Sequence, residues 1–308
     1  MAATLKQKIF SGIFWQGLCN IGNYGLNFVI SIILARLLTP EDFGVVAIVG
    51  VFIALFGVFI DSGFSSALVQ KKDLAAEDCS SVFFLNLTMA GIIYAILFFA
   101  APWIARFYAR PELALCIRIL ALSMVISSFS IVQGTMIYRN MLFHLNFRIS
   151  LISLAISGGI GVYLAFRGFG VWALIVQQLC KSFITCILQW VWGKWRPIAV
   201  WDFTRLRKLF QFGWKLFCSG ILDNLYNNIY PLLIGKLFNL STLSYYNRGN
   251  HIPSLGMGII NSTLGSVLFP AFSSIQHDPL KMRFLMRKAL KRHSRSCCNE
   301  SVPDLEEM

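Results

Sequence analysis

The sequence predicts an all-α membrane protein, a polytopic helical bundle of about eight transmembrane helices. Three observations carry this reading. Eight long apolar stretches follow one another, at about 12–38, 43–69, 81–101, 113–137, 147–166, 170–192, 212–236 and 245–275. Each holds roughly 20 or more mostly apolar residues, enough to cross a hydrocarbon core of ~30 Å. None alternates with period two, and inside a bilayer only helices and closed barrels satisfy their own backbone. The composition agrees, with 56% hydrophobic and 13% charged residues and a mean hydropathy of +0.66. Finally, the net charge of +13 sorts by loop. Lys and Arg crowd the loops on the amino-terminal side, around 194–208 and 281–295 above all. That excess marks the cytoplasmic face and places the amino terminus inside. Charges sorted by membrane side also argue against nucleic acid as a partner and for anionic lipid.

Span 1 carries Gln16, Asn20, Asn23, Asn27 and Ser31 at helical spacing, so a polar stripe runs down one face. Span 2 holds Asp61 toward its inner half, and spans 3 and 4 hold the isolated Asn86 and Gln133. Span 5 is rich in small residues, Ser157, Gly158, Gly159 and Gly161, as in closely packed membrane helices. Span 6 stacks Gln177, Lys181 and Thr185. Span 7 repeats the stripe with Lys215, Ser219, Asp223, Asn227 and Tyr230. Span 8 begins near Arg248 and contains Pro253, Gly256, Gly258, Gly265 and Pro270, which predict a bent helix.

Long polar stripes face either a wet cavity or a neighbouring polar stripe. A Lys or Asp at mid-bilayer costs about 2.5–3.5 kcal/mol on insertion scales. An Asp–Lys pair inside the protein would offset that cost without any functional role. The sharper reading is a cavity for an anionic substrate. Its candidate lining is Asn20, Asn23, Asn27, Gln177, Lys181, Lys215, Asp223, Asn227 and Arg248, with Asp61 and Asp223 as coupling or gating carboxylates. No nucleophile–base or metal-ligand constellation stands out, so no enzyme activity and no cofactor is expected. The eight cysteines form no CxxC pair. The first span is too long for a cleavable signal peptide.

The segment from Lys8 to Phe43 aligns without gaps on the segment 200 residues later. Lys8 meets Lys208, Phe10 meets Phe210, Ile21 meets Ile221, Asn27 meets Asn227 and Leu37 meets Leu237. Both copies start on the cytoplasmic side, so the repeat is parallel, with six helices to a unit. The expected organisation is a six-helix bundle over 1–208, the first two helices of a second bundle over 209–290, and a divergent tail over 291–308. That tail loses the apolar period, and a truncated or frame-shifted product is expected over an ordinary disordered tail.

Several motifs resemble those of the polysaccharide flippases of the multidrug/oligosaccharidyl-lipid/polysaccharide superfamily. They are Leu34-Ala35-Arg36-Leu37-Leu38-Thr39-Pro40-Glu41-Asp42-Phe43-Gly44, then Asp61-Ser62-Gly63-Phe64 with Ser65-Ser66-Ala67-Leu68-Val69-Gln70. Tyr138-Arg139-Asn140-Met141 with Phe143, and Gly168-Phe169-Gly170-Val171-Trp172-Ala173-Leu174, follow in order. The likeness is nearest to the colanic-acid and teichuronic-acid type exporters and covers about residues 5–290. It implies a bacterial inner-membrane protein that moves an undecaprenyl-diphosphate-linked oligosaccharide outward for surface polysaccharide synthesis. Its implied partners are that lipid-linked oligosaccharide, membrane lipid, a polysaccharide polymerase and assembly proteins. Two other functions compete with it. A membrane-embedded polymerase or glycosyltransferase would need a larger loop with paired acids than 102–112 or 193–211 supplies. A drug antiporter of the same superfamily would act without a glycan phenotype.

Overall fold

The computed structural model describes residues 5–61, 63–71, 74–193, 195–198 and 203–249. Among these residues the regular structure is entirely helical. The helices are α1 (Leu5–Leu37), α2 (Pro40–Asp61), α3 (Phe64–Gln70), α4 (Ala76–Phe107), α5 (Glu112–Arg139), α6 (Phe143–Phe166), α7 (Val171–Trp192) and α8 (Phe203–Leu237). Residues 240–249 are helical as well. By length and composition α2, α4, α5, α6 and α7 are able to cross a membrane.

Local chemistry sets the joints. α2 opens on a reciprocal cap. Thr39 N and Oγ1 donate to Asp42 Oδ2 at 3.0 and 2.8 Å, and Asp42 N donates back to Thr39 Oγ1 at 3.3 Å. Pro40 sits at the first helical position, where its missing N–H costs nothing. The stretch expected as one span over 43–69 is two helices. Gly63 adopts φ 76°, a left-handed conformation that breaks the ladder and turns the chain into α3. A side chain at Gly63 would stand 2.5 Å from the Gly213 carbonyl oxygen of α8, so the corner also needs glycine for space. α4 outruns the expected 81–101 at both ends. The eighth stretch lies almost wholly outside the described residues, as do 250–290 and the tail 291–308.

Packing joins antiparallel sequence neighbours and parallel pairs one or more helices apart. α4 lies on α5, α6 on α7 and on α1, and α5 on α7. α2 runs through the middle, against α4, α5, α7 and α8. One core layer joins Val45, Ile48 and Val49 to Ala101, Leu113, Ile117 and Ile175. Another, at the opposite end, joins Phe64 and Leu68 of α3 to Val82, Phe83, Val132 and Leu206. The outer surface is apolar too: Phe99, Trp103, Phe107, Phe166 and Val191 are all exposed. Such a belt suits lipid.

Candidate functional site

A cleft of about 550 Å³ opens between α1, the start of α2 and the helical residues 240–249. α1 contributes Tyr24, Asn27, Phe28, Ser31, Ile32, Ala35 and Arg36. α2 contributes Phe43 and Ala47, and the last helix Ser244, Asn247 and Arg248. The 3.6-residue period of α1 explains its share, since 24, 27/28, 31 and 35 recur on one face. Arg248 stacks over Phe43, its guanidinium carbon 3.9 Å from the ring centroid. That contact holds one cation at the wall without neutralising it. Arg36 is exposed at the same end. The lining holds two arginines and no carboxylate. Amide and hydroxyl groups face the same space, and Phe28, Ile32 and Phe43 make its apolar rim. An amphiphile with an anionic, hydrogen-bonding head matches that lining.

Two of the nine candidate lining residues, Asn27 and Arg248, meet in this cleft, joined by Ser31 of the same α1 stripe. The others lie elsewhere. Asn20 is half-buried further down α1. Asn23 turns to α6, where Ser150 Oγ donates to its Oδ1 at 2.9 Å. Gln177 packs its chain against Gly161 of α6. Lys181 is exposed on α7, and Lys215, Asp223 and Asn227 are exposed on α8. Asn227 Nδ2 donates to the Asp223 main-chain oxygen at 2.8 Å. Asp61 serves the α2–α3 corner, accepting hydrogen bonds from the Ser65 amide at 3.1 Å and from its hydroxyl. The ion pairs among the described residues lie elsewhere too. They are Lys71–Asp78 at 2.6 Å, and Arg110 with Glu41 and Glu112 at 3.9 and 3.6 Å.

Three features escaped the sequence reading. Arg36 looked like an outer-loop charge, yet it caps the cleft. Asn247 and Tyr24 line the cleft beside it, and no span pattern marks either one. At the opposite end, Arg139 donates to the Leu68 and Val69 carbonyls, while fully buried Asp78 accepts from Lys71 Nζ and from the Ala75 amide. The adjacency of Arg139 to the Asp61–Gln70 motif was visible in neither motif alone.

Among the described residues, which are entirely helical where regular, five helices able to span a bilayer define a helical multi-pass membrane protein. Residues 33–295 match the family model described as polysaccharide biosynthesis protein, and the chain belongs to that family. It is 29% identical to the succinoglycan biosynthesis transport protein ExoT of Rhizobium meliloti (strain 1021), over 90% of this chain and 56% of that protein. It is 26% identical to the teichuronic acid biosynthesis protein TuaB of Bacillus subtilis (strain 168), over 89% of this chain and 57% of that one. The lipopolysaccharide biosynthesis protein WzxC of Escherichia coli (strain K12) is 25% identical over 93% and 59%. The chain thus spans less than three fifths of the length of these relatives. No solved structure matches it.

Proposed function

We propose that the chain forms the first six-helix unit and the opening helices of a second unit of a flippase. The flippase carries a lipid-linked oligosaccharide across the bacterial inner membrane. On this reading the chain has eight spans, with the amino terminus in the cytoplasm. The cleft then opens toward the outer leaflet. The observation that carries the reading is the pairing of Arg36 and Arg248 with Asn27, Ser31 and Asn247 in a cleft that lacks carboxylates. Arginine forks suit a diphosphate, and the amides and hydroxyl suit sugar. The succinoglycan transport protein among the relatives supports transport as the activity.

The membrane potential favours the direction. Moving about two negative charges outward across ~100 mV gains on the order of 4.6 kcal/mol, at ~2.3 per charge. Lys181, Lys215 and Asp223 complete the proposal as polar groups along the route, and Asp61 as the residue that keeps the α2–α3 corner.

Binding tests the cleft directly. Purified chain in lipid nanodiscs is titrated with a fluorescent undecaprenyl diphosphate. Arg36→Gln with Arg248→Gln should weaken binding at least tenfold and flatten its salt dependence. Unchanged affinity in the double variant would remove the cleft as the site for the anionic head.

A further inference from the structure

α4 carries Pro102 inside the helix. Proline has no N–H, so the Phe98 carbonyl, four residues earlier, loses its ordinary intrahelical donor. Arg118 of α5 supplies one, its Nε donating to Phe98 O at 3.2 Å. The guanidinium carbon also stands 4.3 Å from the centroid of the Phe98 ring. These two contacts fix the guanidinium at the α4–α5 seam. Neither neutralises it, since a ring face and a carbonyl carry no net charge. The ion pairs among the described residues are made by Lys71 and Arg110, not by Arg118. Among the described residues Arg118 bonds through Nε alone, which leaves the N–H groups of both terminal nitrogens for another acceptor.

Depth puts those donors near phosphate. α5 has 28 residues. At about 1.5 Å per residue it is about 42 Å long, so when centred it overshoots a hydrocarbon core of ~30 Å by about 6 Å at each end. Arg118 follows Glu112, the first residue of α5, by six positions. It therefore lies about 9 Å along the axis and only about 3 Å below the hydrocarbon edge. Helix side chains lean toward the amino terminus, which for α5 is the headgroup side. A long arginine covers the remaining distance by snorkelling. Arg118 also lies between Leu115 and Leu122 on one face of α5, and these two leucines are 51% and 42% exposed. The cation thus sits within an apolar stripe, close under the headgroups.

We propose that Arg118 is a binding site for the phosphate of an anionic phospholipid, in the leaflet that meets the Tyr108–Glu112 turn. The two terminal nitrogens present a fork that matches two phosphate oxygens. The phosphate supplies the counter-charge that the Phe98 ring and carbonyl do not. Acyl chains lie along Leu115 and Leu122, so a lipid-borne phosphate is favoured over a free one. A choline headgroup carries its own cation beside the phosphate and competes with Arg118, so the site selects an anionic lipid. Bound there, the lipid ties the α4–α5 hairpin to the membrane edge at the turn where Pro102 interrupts α4. The site is built from α4 and α5, whereas the cleft is built from α1, α2 and residues 240–249, and it does not depend on the flippase reading.

The test reads lipid occupancy beside Arg118. The full chain, in a cysteine-free background carrying Leu115→Cys labelled with bimane, is reconstituted in phosphatidylcholine liposomes. Brominated phosphatidylglycerol is added, and quenching at residue 115 reports the lipid held there. Its relative affinity should exceed that of brominated phosphatidylcholine or brominated diacylglycerol at least tenfold, and millimolar inorganic phosphate should not release it. Arg118→Gln should erase the preference, and Arg118→Lys should keep part of it. Pro102→Ala returns an N–H to Phe98 O, so Arg118→Gln in that background removes the cation without stranding the carbonyl. This double variant should bind no better than Arg118→Gln alone. A preference kept in both Gln variants would overturn the proposal. So would equal quenching by brominated diacylglycerol or phosphatidylcholine, or release by inorganic phosphate, which would make the ligand a free anion. Quenching by none of the brominated lipids would mean that protein covers the stripe, and would overturn it as well.

Discussion

Three helices end on a left-handed residue, and only one of the three is glycine. Ala109, Met141 and Gly168 have φ 54°, 55° and 79°. Each lets the next amide reach back to a carbonyl of the last turn, Arg110 N to Ala105 O, Leu142 N to Ile137 O and Phe169 N to Leu164 O. A left-handed residue with a Cβ costs about 1–2 kcal/mol, and the extra unfolded freedom of glycine takes back about 0.5–1. Ala109→Gly and Met141→Gly should therefore each stabilise the protein by roughly 0.5–1 kcal/mol. Gly168→Ala should destabilise it by a similar amount, since nothing lies within 4 Å of the added methyl to change the balance. Thermal unfolding in detergent reads all three, and a stabilised Gly168→Ala would refute the account. Close approach gives a second contrast. A methyl at Gly44 would run into the Leu240 carbonyl, which is backbone and has no rotamer to escape to. Gly44→Ala should cost about 1–3 kcal/mol, whereas Gly50→Ala, with open space around it, should gain several tenths as an ordinary helix substitution.

At the scale of elements, α3 is held at both ends by side chains from other helices. Asp61 accepts from Ser65 at its start, and Arg139 binds the Leu68 and Val69 carbonyls at its finish. Hydrogen bonds to a charged donor contribute about 1.5–3 kcal/mol. Arg139→Ala should therefore melt α3 locally, seen as faster amide exchange over Phe64–Gln70 with little change in α6. Arg139→Lys should recover part of the protection, because one ammonium cannot fork to two carbonyls as a guanidinium does.

The same element shows what hydropathy leaves hidden. From 43 to 69 the chain is apolar apart from Asp61-Ser62-Gly63 and Ser65-Ser66, and a dip that short reads as polar residues within one span as easily as a break at Gly63. It needs the left-handed glycine and the packing on Gly213 to be seen. The ends of α4 were missed for the opposite reason. Glu77, Asp78 and Arg106 sit comfortably in the end turns of a helix, so helix continues where hydropathy has already fallen. The centres of the other helices were legible, because roughly 20 apolar residues leave little alternative in a bilayer. The polar stripe of α1 was legible as a face. Which neighbour each amide meets was not, because Asn23 and Asn27 differ only by about 40° around the helix, yet Asn23 meets α6 and Asn27 the cleft.

At the scale of the molecule, the two repeat-related helices live in unequal surroundings. α1 is backed by α6 and faces the cleft, while α8 rests on α2, α3 and α4 with Leu222, Tyr226 and Tyr230 uncovered. Transport by alternating access needs two bundles that rock about a site between them. One wall of the cleft is anchored through α1 on α6 and α6 on α7. The other wall is the helix at 240–249, joined to α8 by a two-residue turn. Among the described residues, α8 has no helix on its Leu222–Tyr230 side to rock with. The 308 residues expressed by themselves should therefore insert, resist carbonate extraction from membranes, and fail to restore surface polysaccharide in an exporter-null strain. Polysaccharide at normal levels would contradict this. It would mean that the bare face of α8 is already covered in the membrane, by a second copy of the chain or by residues beyond 249. In that case the Tyr226→Cys chain should resist a lipid-soluble maleimide in the complemented cells. If instead the strain stays bare and Tyr226→Cys labels fully, that face of α8 stands uncovered in the membrane.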